Sequence, residues 1–310
     1  MFYDTSTSNP KNHLTSFQRM EMFVEFKCST TSNPFHTNDQ APFKKLFDIT
    51  CATHGQMAVY SAHLQTYQFH TCTFSVGVFG SVAYLFCWDH AGVIVSEPIA
   101  YCKSGNHELS EFFCCFDLMD LSQQGWDPTV FDATPEEAAA FNKAIRAVVG
   151  EGKNSLLKTL LDSIGNEVNY LRRRIKIPTS EDDGDDDDDD GRVTPYIVGC
   201  LIANAISPMG CATCGFVVML KVTRELVFLK DSWCLDIEGM MGEAHWFDKL
   251  DEVRNISMFL HGSDVRHVAV KRHSAARKST PLLKELQHTL TNLYLEDYGG
   301  TQGMIGYIHY

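Results

Sequence analysis

GCATCGFVVMLKVTRELVFLKDSWC, Gly210 to Cys234, followed closely by EGMMGEAHWFDKL, Glu238 to Leu250, is the stretch on which the fold turns. Gly210 and Gly215 flank a polar tip, and the absence of a Cβ lets backbone amides come close to a bound anion. Phe216, Val217 and Val218 open a β-prone run, Lys221 to Arg224 makes a turn, and Leu226 to Leu229 is a second apolar run that Lys230 ends. Downstream, Met240, Ala244, Phe247 and Leu250 fall at helical spacing, and Glu243 shares their stripe. An acid on a buried helix face needs a partner. Lys230 is the partner this order offers.

Taken singly the pieces are bland, since two glycines ordinarily make a turn and a lysine is ordinarily solvated. In this order they resemble the small, nucleotide-holding lobe of a protein kinase, where a strand lysine meets the α- and β-phosphates and a helix glutamate. The resemblance implies ATP and Mg as cofactors. It makes Gly210, Gly215, Lys230 and Glu243 the residues of the ATP site.

Three longer stretches narrow the resemblance. YQFHTCTFSVGVFGSVAYLFCWDHAGVIVSEPIAY (Tyr67 to Tyr101), QQGWDPTV (Gln123 to Val130) and VFLKDSW (Val227 to Trp233) are similar to segments of the fungal-type protein kinase family of mushroom-forming fungi. The similarity runs from Phe23 to Val265, and the WDHAGVIVSEP match is its most specific part. Where that family typically carries arginine, this chain has His70, Cys87, His90, Cys211, Cys214 and Cys234. Histidine and cysteine are what single transitions in arginine CGN codons produce, which suggests mutational decay. The family's GRGTRG-like loop reads GCATCG here, so two guanidinium groups have become neutral thiols.

Kinase chemistry needs a catalytic-loop Asp, an Asn and a metal-holding Asp before Phe-Gly. Neither His-Arg-Asp nor Asp-Phe-Gly occurs in the 310 residues. After Val265 only 45 residues follow, and they do not align with the family. The expectation is a catalytically inactive pseudokinase, a small lobe without its larger one, with a binding or scaffolding role toward a protein partner.

Composition agrees with two modest domains. Hydrophobic content of 44% is enough to build cores. The net charge of −13 is misleading, because Glu181, Asp182, Asp183 and Asp185 to Asp190 supply nine negative charges and leave −4 elsewhere. No broad basic face for nucleic acid remains. The N-terminus lacks a signal-peptide pattern, and the longest apolar stretch, Tyr196 to Ile206, is too short to span a bilayer. Eleven cysteines without a secretory signal point to a reducing compartment, cytoplasmic or nuclear. Cys211 and Cys214 form a CxxC, but no second pair with zinc-like spacing accompanies it.

The expected fold class is α+β: a mixed sheet-and-helix domain followed by a kinase-like lobe of antiparallel strands and one helix. Residues 1–17 read as a tail, 18–178 as the first domain, 179–193 as an acidic linker, 194–265 as the lobe and 266–310 as a divergent tail. Strands are expected over Phe23 to Cys28, Thr71 to Phe79, Val82 to Asp89 and Gly92 to Tyr101, turning at Gly80-Ser81 and His90-Ala91. Their apolar character on both faces implies covering helices. One is Glu108 to Met119. Another starts at the capping box of Thr134 and Glu137, and a third runs from Ser155 to Arg174 with Arg172, Arg173 and Arg174 in its last turn. Trp88 and Asp89 read as a buried anchor followed by an Asx turn.

SEDDGDDDDDDGR reads as a solvated spacer, with an acidic arm masking Arg172 to Lys176 as its functional alternative. The segment Pro281 to Leu295 carries Leu282, Leu286, Leu290 and Leu293 at helical spacing, and a frayed state is expected through Tyr310. A different enzyme class is raised by Glu25 and Lys27, which share one face of a strand. Nucleases of the restriction-endonuclease type use such an E-x-K pair to hold a divalent metal. The plain reading is a surface ion pair.

Overall fold

The computed structural model describes residues 2–3, 17–36, 43–150, 155–165, 171–178, 193–203, 212–236, 246, 259–260, 262–264, 266–268, 284–286, 289–291 and 304–309. They form two compact α+β units that divide between Asp127 and Pro128.

The first unit contains β1 (Phe2–Tyr3), β2 (Met20–Lys27), a 3-10 turn at Thr30–Ser32, α1 (Asp48–Gln68), β3 (Thr73–Phe79), β4 (Val82–Trp88), β5 (Val93–Val95) and α2 (Glu108–Leu118). The sheet order is β1-β2-β3-β4-β5. β2 and β3 are parallel, which requires a crossover, and α1 supplies it. From β3 to β5 the chain meanders antiparallel, as its turn residues predict. Met57 and Leu64 of α1 join Phe23, Phe79, Tyr84, Phe86 and Trp88 in one core. Phe116 of α2 joins Met22, Val76, Val78 and Ala83 in the other. Both faces are therefore covered. Trp88 is buried and donates to Ser75 Oγ at 2.8 Å, while Asp89 Oδ1 accepts the amides of Ala91 and Gly92, both at 2.9 Å. The expected anchor and Asx turn are present.

The second unit contains β6 (Val130–Asp132), α3 (Pro135–Val149), α4 (Ser155–Asp162), β7 (Arg173–Pro178), β8 (Val193–Ala203), β9 (Cys214–Leu220), β10 (Leu226–Asp236) and β11 (Ser263–Asp264). It also holds β12 (Arg266–Val268), β13 (Lys284–Leu286) and β14 (Met304–His309). Seven strands form one sheet in the order β11-β14-β10-β9-β8-β7-β6, every adjacent pair antiparallel, and β12 pairs β13 apart from it. Phe141, Ile145 and Val149 of α3, together with Ile164, pack on Ile197, Val217 and Met219 of β8 and β9. α3 begins as its sequence predicts: Glu137 N donates to Thr134 Oγ1 at 3.3 Å, and Thr134 N donates to Glu137 Oε2 at 2.9 Å.

Several expectations change. The helix from Ser155 stops at Asp162, with Gly165 at φ 64, and Arg173 and Arg174 lie in β7. The helix ends where glycine takes the left-handed conformation. The acidic run itself lies outside the described residues. The strands on its two sides pair directly, Pro178 with Val193, so the run joins neighbouring strands of one sheet instead of two domains. Lys230 stands inside β10, which continues to Asp236. Leu286 belongs to a strand instead of a helix, and Met304–His309 lines β10 instead of fraying.

Candidate functional site

The register of the β9–β10 hairpin fixes which side chains share a face. Lys230 opposes Gly215, Phe228 opposes Val217, and Leu226 opposes Met219. Directly paired residues point to the same side of a sheet, so these six define one face. Phe216, Val218 and Leu229 define the other, and all three are buried. Two buried faces explain why β9 reads as an unbroken apolar run.

On the lysine-bearing face the two ends of the hairpin differ. Toward the turn, Val217 and Met219 are buried in the cluster that α3 and α4 build with Ile197 of β8. Gly199 of β8 allows the approach. A Cβ there would stand 2.8 Å from Phe141 Cζ and 3.0 Å from the Ser163 carbonyl oxygen. Toward Lys230, Phe228 is 60% exposed and its ring lies across Gly215, with Cζ 2.7 Å from where a Cβ would be. The hydrogen of Gly215 is thus used to seat an aromatic edge.

Polar contacts hold the helical layer in place. Glu137 accepts Lys221 Nζ at 2.8 Å and Arg174 Nη1 at 3.4 Å. Burial alone would raise its carboxyl, but the hydrogen bonds from Lys221 and Thr134 and the charges of Lys221 and Arg174 prevail, so it lies below the ordinary carboxylate value. Arg172 is buried. It donates to Asn142 Oδ1 at 2.7 Å and to the carbonyls of Ile164 at 2.5 Å and Ser163 at 3.4 Å, and its guanidinium lies 4.4 Å from the centre of the Phe141 ring. Arg173 bonds Asp132. These three arginines have internal partners, so the basic surface that an acidic arm would mask reduces to exposed Lys176.

Of the four residues the sequence assigns to the ATP site, the structure brings together Gly215 and Lys230. Gly210 and Glu243 lie outside the described residues, as does the expected helix apart from Trp246, which is helical. Ala212 went unremarked in the sequence. It stands where G-x-G-x-x-G places its middle glycine, and its φ of 38 lies in the left-handed region. Its carbonyl accepts the Cys214 thiol at 3.4 Å.

In the first unit, Lys27 Nζ meets Glu25 Oε1 at 2.7 Å and donates to Gln56 Oε1 of α1 at 3.0 Å. The E-x-K pair is bonded to itself and to α1. Among the described residues no group of three His, Cys, Asp or Glu side chains is placed to hold a metal, and no helix is long and apolar enough to cross a membrane. The ten described cysteines are free thiols. Comparison with protein-family models, with curated proteins and with solved structures returned no match.

Proposed function

We propose that the chain is a non-catalytic, kinase-like module that acts by binding a protein partner, with the Lys230 hairpin retained as framework. The observation that carries this reading is the occupied lysine-bearing face. The phosphates of a nucleotide held by Lys230 and by backbone near Gly215 must lie at the Lys230 end of that face. There the Phe228 ring covers Gly215, while the other end of the face, at Val217 and Met219, is packed on α3 and α4.

The kinase resemblance supplies the class, and ATP with Mg remains its implied cofactor pair. The covered face argues against turnover at this hairpin. The free thiols favour a reducing compartment inside the cell. Calorimetric titration of Mg-ATP into the full chain tests the reading, together with an assay for phosphate transfer to generic Ser/Thr acceptors. The expected result is a dissociation constant no tighter than about a millimolar, about −4 kcal/mol, and no transfer. Submicromolar affinity overturns it.

A further inference from the structure

Resting on that reading, we infer that Phe228 is the residue that closes the lysine-bearing face to a nucleotide at its phosphate end. Phe228 stands two positions before Lys230, and alternate residues of a strand share a face. It directly opposes Val217, and its ring extends across Gly215, whose own cross-strand partner is Lys230. The V-A-I-K pattern of kinases places alanine at this position, a side chain too short to reach across the hairpin. Here the ring fills the space that a glycine leaves open for a phosphate.

The exposure of Phe228 sharpens the point. A 60% exposed ring is a poor contributor to a core, whereas Val217 and Met219, on the same face, are 6% and 0% exposed. Removing the ring therefore uncovers Gly215 without emptying the cluster of α3 and α4. Phe228 is a steric gate, and Lys230 is the charge behind it.

The test uses the full chain in four forms: wild type, Phe228→Ala, Phe228→Val and the double variant Phe228→Ala with Lys230→Met. Phe228→Val keeps a strand-favouring side chain, so a folding defect in the alanine form does not leave the question open. Binding is read with Mg-ATP carrying a fluorescent ribose label, alongside circular dichroism. Both single variants are expected to bind at least tenfold more tightly than wild type, and the double variant to lose the gain. Equal binding by wild type and the folded single variants, whether present or absent, overturns the gate. Tight binding by wild type overturns the non-catalytic reading as well. Equal absence leaves that reading standing and removes only the role of Phe228.

Discussion

The carboxylate of Glu137, which closes the cap of α3, also receives Lys221 Nζ at 2.8 Å from the turn between β9 and β10. A helix start upstream of the acidic run is thereby tied to the hairpin downstream of it. Glu137→Ala removes the cap bond to Thr134 N and both ion pairs, and is expected to cost about 1–2 kcal/mol in urea unfolding at pH 7. Lys221 is 43% exposed at its side chain, so solvent screens its pair and the cap bond carries most of the loss.

The same carboxylate gives a pH signature. Its folded value is depressed, so its contribution is fully present above the unfolded value of about 4.3 and is lost as pH falls through the folded one. Glu137→Gln keeps an acceptor for the Thr134 amide but cannot titrate. Unfolding free energies measured from pH 6 to pH 3 should fall less steeply for Glu137→Gln than for wild type. Parallel curves mean that the carboxylate gains nothing from its partners.

Arg172 joins the end of α4 to α3. Its planar guanidinium serves Asn142 and the carbonyls of Ile164 and Ser163 while lying over Phe141. An ammonium has neither the fork nor the flat face. Arg172→Lys is expected to destabilise the protein by roughly 1.5–3 kcal/mol, the range for hydrogen bonds to a charged group. Urea unfolding followed by far-ultraviolet circular dichroism measures it, and a loss below about 0.5 kcal/mol, within the range of ordinary surface substitutions, sinks the anchoring role.

Local chemistry made much of this fold legible. The capping box at Thr134, the turn at Lys221 to Arg224 and the meander from Thr73 to Val95 follow from residue type and spacing. α1 did not announce itself, because its buried face carries Thr50, Thr53, Ser61, Gln65 and Gln68. Thr50 and Thr53 bond carbonyls a turn away, whereas Gln65 and Gln68 donate to the distant carbonyls of Trp88 and Met20, which no helical period of apolar residues records. The helix ends near Gly165, a local stop signal, although the apolar spacing of the sequence runs on past it toward Arg174. β14 pairs with a strand some seventy residues earlier, and such long-range pairing leaves little local trace. In the site, the apposition of Lys230 and Gly215 was within reach of the sequence. The covering by Phe228 and α3 depends on register and tertiary packing.

Gly125 is a demanding position in the first unit. Its φ is 94, and a Cβ there would stand 2.1 Å from the Cys72 carbonyl oxygen. Its own carbonyl accepts the Thr71 amide at 2.7 Å, so the two backbones cannot separate without breaking that bond. Gly125→Ala is expected to cost about 3 kcal/mol or more, since backbone strain and a steric clash act together. Thermal unfolding checks this, and a melting temperature equal to wild type shows that the Cys72 segment yields.

Ala212 offers the opposite sign. A left-handed conformation costs a residue with a Cβ roughly 1–2 kcal/mol, and φ at Ala212 is 38. Glycine removes that cost but adds roughly 0.5–1 kcal/mol of unfolded-state entropy. Ala212→Gly is therefore expected to raise stability by up to about 1 kcal/mol. The change also gives the loop the G-x-G-x-x-G pattern, yet it leaves the Phe228 ring across Gly215. Affinity for Mg-ATP should stay at the wild-type level while urea stability rises. A gain in affinity from this substitution alone places the obstacle in the loop and takes the gate away from Phe228.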